Sequence, residues 1–361
     1  MKSLFRAGSL LVSIGCAFAV TPAFADDTAS DGHSIDSLDH APIGVMGDHR
    51  HKKGEWMVSY RLMHMDMAGI QIGTDSVTPE QVATTVPNRF FGNPGQPPTL
   101  RIVPTSMRMD MHMAGVMYGV SDDVTLMVMG NYITKEMDHI TFQGGMGTNR
   151  LGTFRTRTAD IGDTKVAALI GLSDTILFNA GISLPTGTIT EEDDILTPMD
   201  GNPTVRTPYP MQIGSGTFDL EPGITYRDQN ARFGWGAQLR GTIRLGDNDE
   251  GYSFGNKAMA TIWGAAALSP AVSVSARMQA ETLGRVDGTD PLIAGPVQTA
   301  NPDFQGGETV TAFAGMNFAV TGGSLKGWRL GVEGGLPVVQ DLNGPQMPTD
   351  YTLTVGIQKS F

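Results

Sequence analysis

The chain has 361 residues, only 17% of them charged, with 46 glycines, 21 methionines and a formal net charge of −12. That acidity excludes nucleic acid and anionic membrane surfaces as partners, because both need clustered Lys and Arg. A mean hydropathy of −0.09, with apolar residues spread evenly along the chain, excludes a disordered protein.

At the start, Lys2 and Arg6 precede the apolar run Leu10 to Val20, and Ala23-Phe24-Ala25 supplies a cleavage site before Asp26. This pattern predicts a secretory signal over 1–25. The single cysteine, Cys16, lies inside it, so no disulfide, thiolate zinc site or cysteine nucleophile is expected after export. A lipoprotein signal would anchor Cys16, but Ser13 stands where such signals usually carry Leu. No later stretch offers 18 consecutive apolar residues, which excludes a helical inner-membrane transporter.

Residues 26–53 read as a periplasmic tail or as a plug. Asp26, Asp27, Asp31, Asp36, Asp39 and Asp48 make the segment acidic before it turns basic over His49 to Lys53. Ala41 to Met46 is apolar inside this polar stretch, as an ordered plug element would be.

From 54 to the end the chain alternates with period two. The twelve candidate strands are 55–67, 106–120, 124–137, 159–172, 175–187, 215–227, 231–245, 255–268, 271–284, 308–320, 326–338 and 350–361. In the last, Tyr351, Leu353, Val355, Ile357 and Phe361 share one face, with small or polar residues between them. Short turns such as Ser121-Asp122-Asp123 and Ser269-Pro270 alternate with long connections at 68–105, 138–158, 188–214, 246–254, 285–307 and 339–349. The expected fold is therefore all-β: a transmembrane antiparallel up-and-down barrel of about 12 strands, of the outer-membrane type. A secreted sandwich or propeller is the rival, but neither requires connections that alternate in length or a terminal Phe. The even strand count puts both termini on the periplasmic side. Trp56, Tyr60, Tyr118, Tyr132, Trp235 and Trp328 fall on the outward phase, as interfacial girdles do. Outer-membrane lipid and lipopolysaccharide are the expected partners, with Phe361 read by the barrel-assembly machinery.

Giving the greasy phase to lipid leaves the other phase inside. Met57, Met63, Met65 and Met67 point inward with Arg61. So do Met107, Met109, Met111, Met113, Met117, Met127 and Met129. The opposite wall carries Asp163, Lys165, Asp219, Glu221, Gln238, Arg240, Arg244, Arg277, Gln279, Glu281, Arg329 and Glu333. Three readings of the methionine wall stand. Met packs irregular space; it contacts apolar or aromatic solutes; or its thioethers hold soft metal. In the last case Met63, Met65, Met109, Met111 and Met113 would act with His64, His112, His49 and His51 as copper ligands. His33, His40 and Met46 lie in the same His-rich stretch before the barrel. His64 and His112, however, fall on the outward phase.

No enzyme is expected. The sequence has no phosphate-binding G-x-x-x-x-G-K-[ST] loop and no G-x-S-x-G elbow. No serine stands two residues from His64 or His112 to build a lipid-facing nucleophile pair. Glu191-Glu192-Asp193-Asp194 reads as a solvated loop or a Ca²⁺ contact. The function that remains is a passive channel or facilitated transporter, gated by residues 26–53 or by the proline-rich 68–105 loop. Copper binding or transport is the alternative.

Three segments carry a family resemblance. They are Asn179-Ala180-Gly181-Ile182-Ser183-Leu184-Pro185-Thr186-Gly187, Gly214-Ser215-Gly216-Thr217-Phe218-Asp219-Leu220-Glu221-Pro222-Gly223, and Gly335-Leu336-Pro337-Val338 with Gly344-Pro345-Gln346. Over roughly 160–361 the chain resembles the outer-membrane protein family of the phenol-degradation meta-cleavage pathway. That family is placed near long-chain fatty-acid and aromatic-hydrocarbon channel barrels. The resemblance implies an outer-membrane transporter and aromatic uptake, but transfers no binding residues. The Met- and His-rich first third departs from the family pattern.

Overall fold

The computed structural model describes residues 36–361; the expected signal segment, Cys16 and His33 lie outside the described residues. The strands are β1 (Trp56–Ala68), β2 (Ile102–Ser121), β3 (Val124–Phe142), β4 in two pieces (Arg150–Ile161 and Thr164–Gly171), β5 (Ile176–Leu184) and β6 (Phe218–Gln229). They continue with β7 (Phe233–Leu245), β8 (Lys257–Ser269), β9 (Val272–Leu283), β10 (Gly307–Ala319), β11 (Trp328–Gln346) and β12 (Thr349–Ser360). Each pairs antiparallel with its neighbours in sequence. β12 also pairs with β1, from Met57 opposite Ser360 to Met67 opposite Thr349, so the sheet closes. Closure leaves no edge of unpaired N–H and C=O groups, which hydrocarbon would not solvate. All twelve expected strands are present.

The outward phase forms a greasy belt of residues such as Val58, Val128, Ile224, Leu239, Ile262 and Ile357. Trp56 and Tyr118 stack across β1 and β2 with ring centroids 4.4 Å apart near the short-turn end. Further along, Tyr60, Tyr132 and Tyr351 form an outward aromatic level beside His112 and His64.

Several strands run well beyond this belt. β2 begins at 102 rather than 106, β3 reaches 142, β4 begins at 150, and β11 continues to 346. The expected loops at 138–158 and 339–349 shrink to 143–149 and 347–348. In these extensions the sidedness inverts. Arg155 meets Asp138 at 2.7 Å, Arg157 meets Glu136 at 2.9 Å, and Arg108 approaches Asp66 at 3.7 Å, all on the exterior. Met137 is buried within, whereas Val103, Ile140 and Phe142 share the opposite phase and are buried under the 69–101 connection. A wall that stands in water, with loops packed against either face, has no reason to keep a continuous greasy outer phase.

The connection 69–101 is ordered rather than irregular. It carries a small hairpin (Gln71–Gly73 with Asp75–Ser76) and helix α1 (Pro79–Thr85). Thr78 and Gln81 form a capping box, and Pro79 sits in the first turn, where a missing N–H costs nothing. α1 buries Val82 and Ala83 against Ile70, Leu100, Val103, Ile140 and Phe142. Arg101 is fully buried and donates to the carbonyls of Gln143, Gly144 and Gly147, tying this connection to the β3–β4 turn.

Candidate functional site

At the short-turn end, residues 36–53 run through the inside of the barrel without regular structure. Their backbone groups find partners on inward side chains around the wall. Ser273 on β9 donates to Ser37 O (2.9 Å), Arg227 on β6 to Leu38 O (2.9 Å) and Arg329 on β11 to Ala41 O (2.5 Å). Gln238 on β7 donates to Met46 O (2.9 Å), and Thr125 on β3 accepts from His51 N (2.8 Å). Ala41 and Val45 pack on Trp263 of β8. Ile43, 1% exposed, enters a slot made by Gly331 and Gly356, which face each other across β11 and β12. A Cβ on Gly331 would lie 2.8 Å from Ile43 Cβ, and one on Gly356 2.9 Å from Ile43 Cδ1. Only glycine at both positions admits the side chain. Burial pushes the His40 imidazole well below its ordinary value and His51 down to about 4. Burial works against ionisation of Asp48, but His49, which also hydrogen-bonds it, His40 and Arg227 together outweigh this and hold its carboxyl well below the usual range.

Between this segment and the loops lies a lumenal cavity of about 660 Å³. Met63, Met111, Met113, Met129 and Arg61 border it on one side. Asp163, Lys165, Asp219, Glu221, Arg240, Arg244 and Glu281 border it on the other. The charges are paired: Lys165 and Arg240 with Glu221, Arg244 with Asp219, and Lys257 with Glu281 at 3.5 Å. Asp163 lies in the break of β4, where its carboxylate accepts from the backbone N–H of Gly187 and Ser215. Arg277 and Glu333 form a buried bidentate pair (2.9 and 2.8 Å) beside the N-terminal segment, with Gln279 accepting from Arg277.

The other expected lumenal methionines do not border this cavity. Met57, Met117 and Met127 pack with Ala167 and Leu169. Met67 and Met107 pack with Met137, Met211 and Met347 beneath the loops. Met65 and Met109 face each other across β1 and β2, and Met65 S lies 3.9 Å from Thr349 Oγ1. Lys135, on the same phase as Met127 and Met129, was missed by the sequence reading. Its Nζ donates to Pro210 O and Gln212 O, anchoring the 185–217 loop over the lumen. Extending the inward phase of β3 by three steps would have found it.

The expected copper ligands are not brought together. His64 pairs with Asp110 (2.6 Å) and His112 with the Tyr60 hydroxyl (2.7 Å), both on the exterior face. Met63, Met65, Met109, Met111 and Met113 lie across the wall from them, because neighbours along a strand point to opposite faces. His49 lies in the N-terminal segment beside Met57, Met117, Met127 and Met129 rather than beside the five expected methionines, and His51 stacks edge-on against it.

Above the lumen the long loops enclose a second, mostly apolar cavity of about 410 Å³. Ile102, Phe154, Ile195, Pro208, Ile293 and Val297 are among its lining residues, and His139 stacks on Phe154 with centroids 4.5 Å apart. Arg206 bridges to Asp290 at 2.8 Å and joins two of the loops. A cluster of Tyr209, Tyr252, Val286, Ile293 and Ala300 separates the two cavities: Tyr209 and Val286 border the lumen, Ile293 and Ala300 the upper cavity. These residues sit on loops far apart in sequence, and no local pattern marked them.

No family model and no curated protein matches the chain. Among solved structures it is similar to the COG4313 outer membrane channel from Pseudomonas putida F1. The identity is 12%, with a TM-score of 0.54 over 87% of this chain and 98% of that one. The fold of this chain is that of a closed antiparallel outer-membrane barrel. A weaker likeness, with a TM-score of 0.44 and 11% identity over 86% and 90% of the two chains, is to the Ralstonia pickettii toluene transporter TbuX.

Proposed function

We propose that the chain is an integral outer-membrane channel of a Gram-negative bacterium that passes small apolar or aromatic solutes by diffusion. It performs no chemistry on them. Its short turns and both termini would face the periplasm and its long loops the exterior, as is usual for such barrels. The observation that carries the reading is the pair of cavities, one under the long loops and one in the lumen, with a single side-chain cluster lining both. An apolar chamber beneath the long loops would collect the solute, and the Tyr209–Ile293 cluster would part to admit it to the lumen. There Met63, Met111, Met113 and Met129 offer a polarizable wall that adapts to ring-shaped guests. The ion pairs opposite are self-satisfied, so they hold the wall in shape and capture no charged solute. Residues 36–53 act as the plug at the periplasmic mouth. Phe361, exposed at the end of β12, is the proposed contact of the assembly machinery.

The test is uptake of a neutral monoaromatic compound into proteoliposomes carrying the full chain or the chain lacking 36–53. Faster uptake than in empty vesicles, and faster still without the segment, is expected. Uptake equal to empty vesicles for both chains would discard the proposal.

A further inference from the structure

Within the plug, the side chains of His40, Asp48 and His49 place one ligand atom each within 4.8 Å of one another. His40 and His49 meet edge to face at 4.3 Å between ring centroids, and His51 follows at 5.0 Å from His49. Three imidazole nitrogens here, His40 Nδ1, His49 Nε2 and His51 Nε2, are buried with no hydrogen-bond partner among the described residues. Buried polar atoms are rarely left so, and those of His40 and His49 belong to the one group whose ligand atoms lie this close; His51 stands outside it. Beside Asp48 and His49, but not reaching His40, lies an enclosed space of about 20 Å³, room for one water-sized guest, bounded otherwise by Arg61 and by Met46, Met57, Met117, Met127 and Met129.

We propose that His40, Asp48 and His49 bind one divalent d-block ion of the zinc, copper(II) or nickel class, and that this ion clasps the neck of the plug. Two ligand atoms held about 2 Å from a tetrahedral ion lie about 3.3 Å apart, so side-chain rotation closes the observed spacing. Imidazole nitrogens with a single carboxylate suit these ions. Ca²⁺ and Mg²⁺ want several oxygen ligands, and this group supplies one carboxylate. The site closes a loop: Ala41 N already donates to Asp48 Oδ2 at 2.7 Å, and the loop between them carries Ile43 in its glycine slot. An ion held by His40 on one side and by Asp48 and His49 on the other ties both strands of that neck. Metal binding stands apart from the channel reading, since it is measured without transport.

The experiment is equilibrium dialysis of Zn²⁺ against a competing chelator, with untagged full-length protein refolded in detergent. One Zn²⁺ per chain is expected. A His40→Gln/His49→Gln variant should bind at least tenfold more weakly, and Asp48→Asn, which keeps an oxygen for Ala41 N, should also lose affinity. His64→Gln/His112→Gln, altered only on the exterior, should bind as the wild type does. Folding of each variant is read from heat-dependent gel migration. Independently of any variant, the wild type loaded with Co²⁺ should show visible absorption bands of a histidine-ligated ion. Absent Zn²⁺ binding, unchanged affinity in the folded double variant, absent Co²⁺ bands, or displacement of Zn²⁺ by equimolar Ca²⁺ would each overturn the proposal.

Discussion

Replacing Ile43 with alanine empties the Gly331/Gly356 slot. The side chain is 1% exposed and touches both glycines, so its loss matches a buried Ile→Ala change, about 2–5 kcal/mol. None of the barrel's ladder hydrogen bonds involves Ile43, so the loss falls on docking of the plug rather than on closure of the sheet. Even 2 kcal/mol lowers the ratio of docked to undocked segment about 30-fold. In planar bilayers this should appear as a comparable rise in the frequency of open events, with the open-state conductance unchanged. Gly331→Val attacks the same contact from the wall, where its Cβ would lie 2.8 Å from Ile43 Cβ. Overpacking of this kind costs about 1–3 kcal/mol. The double variant should open less often than the sum of the two effects requires, because the valine fills what the alanine vacates. If both single variants open no more often than wild type, yet unfold at lower urea, then Ile43 serves the stability of the barrel and the docking argument is wrong.

Glu333→Gln leaves the Arg277 guanidinium buried without its carboxylate and should cost about 3–5 kcal/mol, read as a lower urea midpoint. Arg277→Met/Glu333→Met should recover most of that loss; a lasting deficit would mean that the pair does more than satisfy itself. Leu239→Arg, in the belt, should destabilise the barrel in lipid vesicles by about 2–4 kcal/mol, whereas Arg155→Leu, above it, should change stability by no more than about 0.5 kcal/mol. Equal effects at both positions would misplace the membrane boundary. Phe154→Ala removes the ring stacked on His139 in the upper cavity. It should slow uptake of a monoaromatic solute while leaving ion conductance unchanged, and unaltered uptake would exclude that cavity from the path.

Strand number and barrel closure were legible because lipid imposes one rule on the outer face. Wherever that rule applies, as from Tyr351 to Ile357 in β12, alternation marks the strand. The rule lapses above the membrane, so alternation does not mark the extensions of β2, β3 and β11 or the early start of β4. Inward pointing was legible from the same phase, and it separates His64 and His112 from the neighbouring sulfurs. Depth along the axis was not. Met63 and Met57 share a phase, yet one borders open lumen and the other packs beside the plug, because only the irregular path of residues 36–53 decides which sites are filled. The upper cavity was invisible for a similar reason: Phe154, Pro208 and Ile293 meet only after loops of different hairpins fold over the mouth.

The most direct test is single-channel conductance of the full chain against the chain lacking residues 36–53, in the same planar bilayer. Rare, small openings for the full chain and a steady, larger conductance for the shortened one are expected. Equal conductance in the two, or silence in both from correctly folded barrels, would contradict a channel closed at one end by its own N-terminal segment.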